Sequence, residues 1–181
     1  MSSLADPGPA KICMSILSSG MDRIWTKLQE ILAARFGEMD HVSDPLPFDQ
    51  TTYYDRELGQ PILRRLVSFR PLVRMDSLVE VKHWTNALEM AWSQDGKRAV
   101  NLDPGLLTLE RLVLATGKNF SHRVYLGKGV WADLTLVYGR GGWIVQPWTF
   151  PDYAGAVIQN ELTAIRAVFA VQVKAWVRRK G

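Results

Sequence analysis

Asn101-Leu102-Asp103-Pro104-Gly105 decides how the chain is read, because it joins two differently patterned halves. Lys97 to Leu102 has the character of a strand. An aspartate, a proline and a glycine in succession then read as a helix start. The carboxylate can accept from free amides of the first turn, and a proline at the first helical position gives up no needed donor. Leu106 to Thr116 is therefore expected as a short helix closed by Gly117.

Toward the N-terminus, Ile62 to Leu72 reads as a strand and Ser77-Leu78-Val79-Glu80 as a capping box. The box precedes an amphipathic helix carrying Val81, Trp84, Leu88 and Trp92. Asp49 to Gly59 reads as a loop or a short turn of helix, and Met39 to Phe48 as an extended piece that Pro45 and Pro47 confine to an edge. A helix from Asp22 shows Ile24, Leu28, Ile31 and Leu32 on one face, and Ile12 to Ser18 is an apolar run broken by Ser19-Gly20, as in a buried strand. Residues 1–10 have no periodicity and read as a flexible leader, leaving 11–181 as a single α+β domain. The first half thus has the order β-α-β-β-α-β of a ferredoxin-like sandwich.

Toward the C-terminus, His122 to Leu126, Val130 to Tyr138 and Trp143 to Gln146 read as a three-stranded antiparallel meander turned at glycine-rich loops. Ile158, Leu162, Ile165, Phe169, Val173 and Trp176 mark one stripe of a long C-terminal helix.

Composition supports one packed unit: 47% of the 181 residues are hydrophobic. The single cysteine, Cys13, excludes an internal disulfide framework and a multi-cysteine metal site, and its apolar setting predicts a buried thiol. No apolar stretch reaches the roughly 18 residues of a spanning helix, and the N-terminal residues lack a signal-type pattern, so a cytoplasmic location is expected, with no membrane partner. The net charge of +4 favours anionic partners weakly. Part of it lies in Arg178-Arg179-Lys180, which suits a helix C-terminus as well as a nucleic-acid tail.

Several strings together resemble the family of the domain of unknown function 4416, bacterial proteins carried as uncharacterised. They are Pro47-Phe48-Asp49 with Tyr53-Tyr54, Asn101 to Gly105, Leu114-Ala115-Thr116, His122 to Leu126, and Trp148 to Tyr153. The resemblance spans Lys11 to Tyr153 and implies no established reaction, although some members carry a GTP-binding label. A phosphate loop needs glycine-rich backbone followed by Gly-Lys-Ser/Thr. Here Gly117-Lys118 is followed by Asn119, and Gly127-Lys128 by Gly129 in a turn, so nucleotide binding would need another architecture.

Candidate site residues gather in the connections. Asp49, Tyr53 and Tyr54 stand in one loop, Asn101 and Asp103 at the strand junction, and Lys118, His122 and Arg123 in another loop. These are expected to bind a small anionic ligand, with a nucleotide as one form. Asp103 has an ordinary reading as an N-cap, and strand alternation sends His122 and Arg123 to opposite faces unless the strand begins after them. In Val130 to Tyr138, Asp133 and Thr135 share the wetter face opposite Val130, Ala132, Leu134 and Leu136. A second reading is a metal-assisted phosphoryl hydrolase or transferase, with Asp103, Asp133 and Asp49 around magnesium and His122 as acid or base. A third is an RNA-binding or assembly module using the basic C-terminus.

Overall fold

The structure, a computed structural model, describes residues 3–180, with the Lys180 side chain and the outermost residues of the expected leader outside the described set. An antiparallel sheet of nine strands has the order β11-β10-β8-β7-β1-β4-β2, with β3 joined to β4 and β9 to β10. In chain order the elements are β1 (Pro9–Ser18), α1 (Met21–Phe36), β2 (Met39–Val42), β3 (Leu46–Pro47), α2 (Asp55–Leu58), β4 (Leu63–Arg74) and α3 (Leu78–Ala91). A small hairpin of β5 (Ser93–Gln94) and β6 (Lys97–Arg98) follows, then β7 (Asn101–Leu107), β8 (Arg111–Thr116), β9 (Arg123–Gly127), β10 (Val130–Gly139) and β11 (Gly142–Val145). The chain closes with α4 (Pro151–Ala154) and α5 (Ala156–Lys180).

β1 is central, and both of its faces are covered. This is why it reads as a continuous apolar run rather than an alternating one. Ile12, Met14 and Ile16 join Val67, Phe69 and Leu102 beneath the apolar faces of α1 and α3. On the other face Cys13 joins Leu66, Leu107 and Leu112 beneath Ile158, Leu162, Ile165 and Phe169 of α5. Burial pushes the Cys13 thiol up to about 12, so it is an inert packing group. Among the described residues no helix is long and apolar enough to cross a membrane.

Several expectations are corrected. Leu106 to Thr116 is no helix: Gly105, Leu106 and Leu107 pair with Leu114, Val113 and Leu112 in a β7–β8 hairpin. Leu106, Leu107, Leu112, Leu114 and Ala115 are all buried, filling both faces of the sheet, a demand a one-sided helix would not meet. Asp103 therefore lies within a strand and caps nothing. β1 opens at Pro9, inside the segment expected as leader, and Ala10 is buried.

The capping box does not form either, since Ser77 Oγ donates to Arg74 O at 2.7 Å. The fully buried stripe of α3 is Leu78, Val81, Lys82, Thr85 and Glu89, and the expected Trp84, Leu88 and Trp92 pack half-buried against the same core beside it. Nor do the last strands make a meander. Asp133 pairs with Leu114 on one side and Arg123 on the other, and Leu136 with Leu112 and Val145. β9 and β11 thus lie end to end on one edge of β10, because β8 occupies the other.

A bulge between Leu134 and Leu136 shifts the alternation within β10. Val130 packs under the helices, whereas Leu136 crosses to the α5 face. Asp133 and Thr135, expected on a wetter face, are buried.

Candidate functional site

The site begins where the sheet comes apart. The β7–β8 ladder stops at Gly105 and Leu114, just after Pro104, which has no N–H to offer. Beyond it the Leu102 amide and carbonyl face no strand. α3 supplies the missing groups: Glu89 Oε1 accepts from Leu102 N at 2.5 Å, and Lys82 Nζ donates to Leu102 O at 3.2 Å. Burial raises the Glu89 carboxyl above its ordinary range, against the opposing pull of the Leu102 amide.

From Glu89 the polar groups run outward. Arg98 donates to Glu89 Oε2 at 3.0 Å, to Asn101 Oδ1 at 2.9 Å and to Glu57 Oε2 at 2.5 Å. Asn101 Nδ2 in turn donates to Asp103 Oδ2 at 2.7 Å, while Lys82 Nζ stays 3.8 Å from Asp103 Oδ1. The Asp103 side chain remains 31% exposed.

Register places Ser15 of β1 directly across from Asp103, on the same face. Its hydroxyl is buried without a partner. The Tyr54 and Tyr153 phenols both lie within reach of the Asp103 charge, and both are pushed well up, by burial first. The Asp103 charge comes next for Tyr54, and for Tyr153 the Asp152 and Asp103 charges act against Arg64. Arg64 lies buried between the Phe48 and Tyr153 rings, 4.8 and 5.2 Å from their centroids. One guanidinium nitrogen binds Asp152 of α4, and its Nε has no partner.

At the rim Tyr53 is 61% exposed and stands edge-on to Tyr54, with centroids 4.9 Å apart. Lys118 donates to the Tyr53 hydroxyl, its ammonium 4.6 Å from the ring centroid.

A second carboxylate behaves differently. Asp133 Oδ2 accepts from Arg123 Nε at 2.9 Å and meets His122 Nε2 at 3.2 Å, and Thr135 Oγ1 donates to Oδ1 at 3.2 Å. A carboxylate can only accept, so His122 carries its proton on Nε2. The imidazole stacks on Trp148, centroids 5.0 Å apart and planes 8° apart. Trp148 Nε1 and Thr149 Oγ1 reach back to the Leu134 and Thr135 carbonyls at 2.9 and 2.6 Å, filling the gap between β9 and β11.

Of the expected site residues, Asn101 meets Asp103, Tyr53 meets Tyr54 and Lys118, and the Asp103 charge reaches the Tyr54 phenol. His122, Arg123 and Asp133 form a separate cluster, joined to these where Arg123 Nη1 donates to Lys118 O at 3.0 Å. The strand begins at Arg123, so His122 escapes the alternation and both side chains meet one carboxylate. Asp49 is exposed and, among the described residues, bonded only to its neighbour Gln50. The carboxylate cluster imagined for magnesium is not formed: among the described residues no three His, Cys, Asp or Glu side chains could hold a metal ion. A groove of about 370 Å³ on the opposite layer, between the end of α1 and the start of α3, contains none of the candidate residues.

Sequence reasoning missed Ser15, Lys82, Glu89 and Arg98. The available signal was polar Lys82, Thr85 and Glu89 at helical spacing along the apolar stripe of α3.

No curated protein and no solved structure matches the chain. A family model does, over residues 8–169, and the chain belongs to the family of the domain of unknown function DUF4416.

Proposed function

We propose that the chain binds a small anionic ligand, such as a nucleotide, at the mouth formed by Tyr53, Tyr54, Asp103 and Lys118, without a phosphate loop. The observation that carries this reading is the state of the Lys118 ammonium. Around it Arg64, Lys82, Arg98 and Arg123 each have a carboxylate partner, in Asp152, Asp103, Glu57 with Glu89, and Asp133. Among the described residues the Lys118 ammonium meets only the Tyr53 hydroxyl and ring. An arriving phosphate gains a charge-assisted hydrogen bond there without breaking an ion pair, and the exposed Tyr53 ring offers a stacking face.

The fold suits this use. β1, α1, β2, β4, α3 and β7 stand in the spatial order β7-β1-β4-β2, which supports a ferredoxin-like reading of the first half. The free, buried Cys13 is in keeping with a cytoplasmic location. Calorimetric titration with inorganic phosphate, pyrophosphate and nucleotides tests the proposal. Binding that weakens about tenfold in Lys118→Ala supports it; no binding at millimolar ligand overturns it.

A second reading, self-assembly, is favoured by one observation. Val124, Tyr125, Leu126, Ile144 and Val145 are exposed along the unpaired edge of β9 and β11, where a second copy could add a strand. A monomeric mass by light scattering at every concentration, unchanged in Tyr125→Lys, removes it.

A further inference from the structure

Resting on the anion reading above, we infer that the ligand is a phosphorylated sugar or polyol, its hydroxyl-bearing end buried beneath Tyr54 and its phosphate at Lys118. The evidence is a set of unsatisfied polar groups at one place on the sheet. Ser15, 2% exposed, holds a hydroxyl with no partner. Arg64, on the neighbouring strand and the same face, has a buried Nε with none. The hydroxyls of Tyr54 and Tyr153 have no hydrogen-bond partner among the described residues, and both phenols feel the Asp103 charge. Asp103 takes a single close donor, from Asn101, and keeps lone pairs free.

Buried polar atoms without partners are rare in native proteins, and two on adjacent strands of one face, Ser15 Oγ and Arg64 Nε, call for an occupant. Its chemistry follows from theirs. A second anionic group would face Asp103 and Asp152. An apolar group would leave every orphan unsatisfied, at a desolvation cost for each. Asp103 can only accept and Arg64 Nε can only donate, whereas the three hydroxyls do either. Ligand hydroxyls, which rotate to donate or accept, satisfy the whole set. The fixed donors and acceptors of a planar ring amide match only one pattern. The Tyr54 ring beside these side chains suits the apolar face of a sugar ring.

The experiment is calorimetric titration of the full chain with ribose 5-phosphate, glucose 6-phosphate and an inositol monophosphate, each against inorganic phosphate. At least one sugar or polyol phosphate is expected to bind tenfold or more tightly than inorganic phosphate. Ser15→Ala, which removes an already unpaired hydroxyl and so leaves the fold intact, is expected to erase about tenfold of that advantage while inorganic phosphate binds as before. Asp103→Asn, at a partly exposed side chain, is a second variant, read only by the ratio of sugar-phosphate to inorganic-phosphate affinity, which is expected to fall about tenfold. If inorganic phosphate binds and none of the three binds more tightly, the polyol inference is overturned and the anion reading stands. An advantage that survives both substitutions also overturns it. If nothing binds, both readings fall together.

Discussion

Asp133 and Asp103 lie on the same face of one sheet, two strands apart, yet they do opposite work. Asp133 is 3% exposed and every nearby donor is turned on it, from a guanidinium, an imidazole and a hydroxyl. It ties the loop before β9 to the strand beside it. Asp103 has one amide donor and an ammonium too far for a hydrogen bond, near two phenols that spend nothing on it. A saturated carboxylate fixes structure, and an under-supplied one is available to something else. Identical side chains in similar strand settings are told apart by counting donors.

The contrast is broken most forcefully at Asp133. Asp133→Ala takes the buried carboxylate from the part-buried Arg123 and is expected to cost about 3 kcal/mol in denaturant unfolding; a loss below about 1 kcal/mol would mean the cluster fastens nothing. Glu89 tests the network on the Asp103 side through pH. Its native carboxyl titrates above the ordinary value of 4.5, so the fold favours the protonated form. Its contribution is full below that value and is lost as pH rises through the raised native one. The stability of the wild type relative to Glu89→Gln should therefore be greatest below pH 4.5 and shrink as pH rises, as read from thermal melts across an acid series.

Asp103→Asn should cost less than about 1 kcal/mol, because its ionic partner is distant and the group is part-exposed. A cost equal to that of Asp133→Ala would erase the distinction between the two. The smallest effect is expected at Lys118→Ala, within about 0.5 kcal/mol on the unliganded chain, although stabilisation by phosphate should disappear from its melting curve.

How far the sequence carries depends on where local and tertiary demands agree. α5 was legible because Ile158, Leu162, Ile165 and Phe169 keep a helical period over a single buried face. Asp103-Pro104-Gly105 misled because a helix start and the frayed edge of a strand want the same residues. Proline is tolerated there because the β7–β8 ladder ends at Gly105, which the local residue pattern does not announce. The face of Leu136 was obscured by the bulge after Leu134, since one extra residue reverses every later assignment. At the candidate site, Tyr53, Tyr54, Asp103 and Lys118 stood out because aromatic and charged groups lay in expected connections. Ser15 was hidden in a strand that looks wholly apolar, and its interest arises only from the absence of a partner. Glu89 and Lys82 were visible as polar residues on an apolar stripe, but their purpose depends on a break in a sheet formed by other segments.

The central position of β1 has a consequence for how the chain is made. Its partners begin at Leu63 and Asn101, and the Lys11 ammonium at its start is buried against Asp40, the Phe69 carbonyl and the Gln172 side chain, 161 residues later. A nascent chain therefore presents its most apolar strand long before the segments that cover it exist. Emerging from the ribosome, it holds two open edges until β4 and β7 arrive and one uncovered face until α5 does. Folding is tied to late synthesis, and the strand made earliest is the one that most needs protection from premature association.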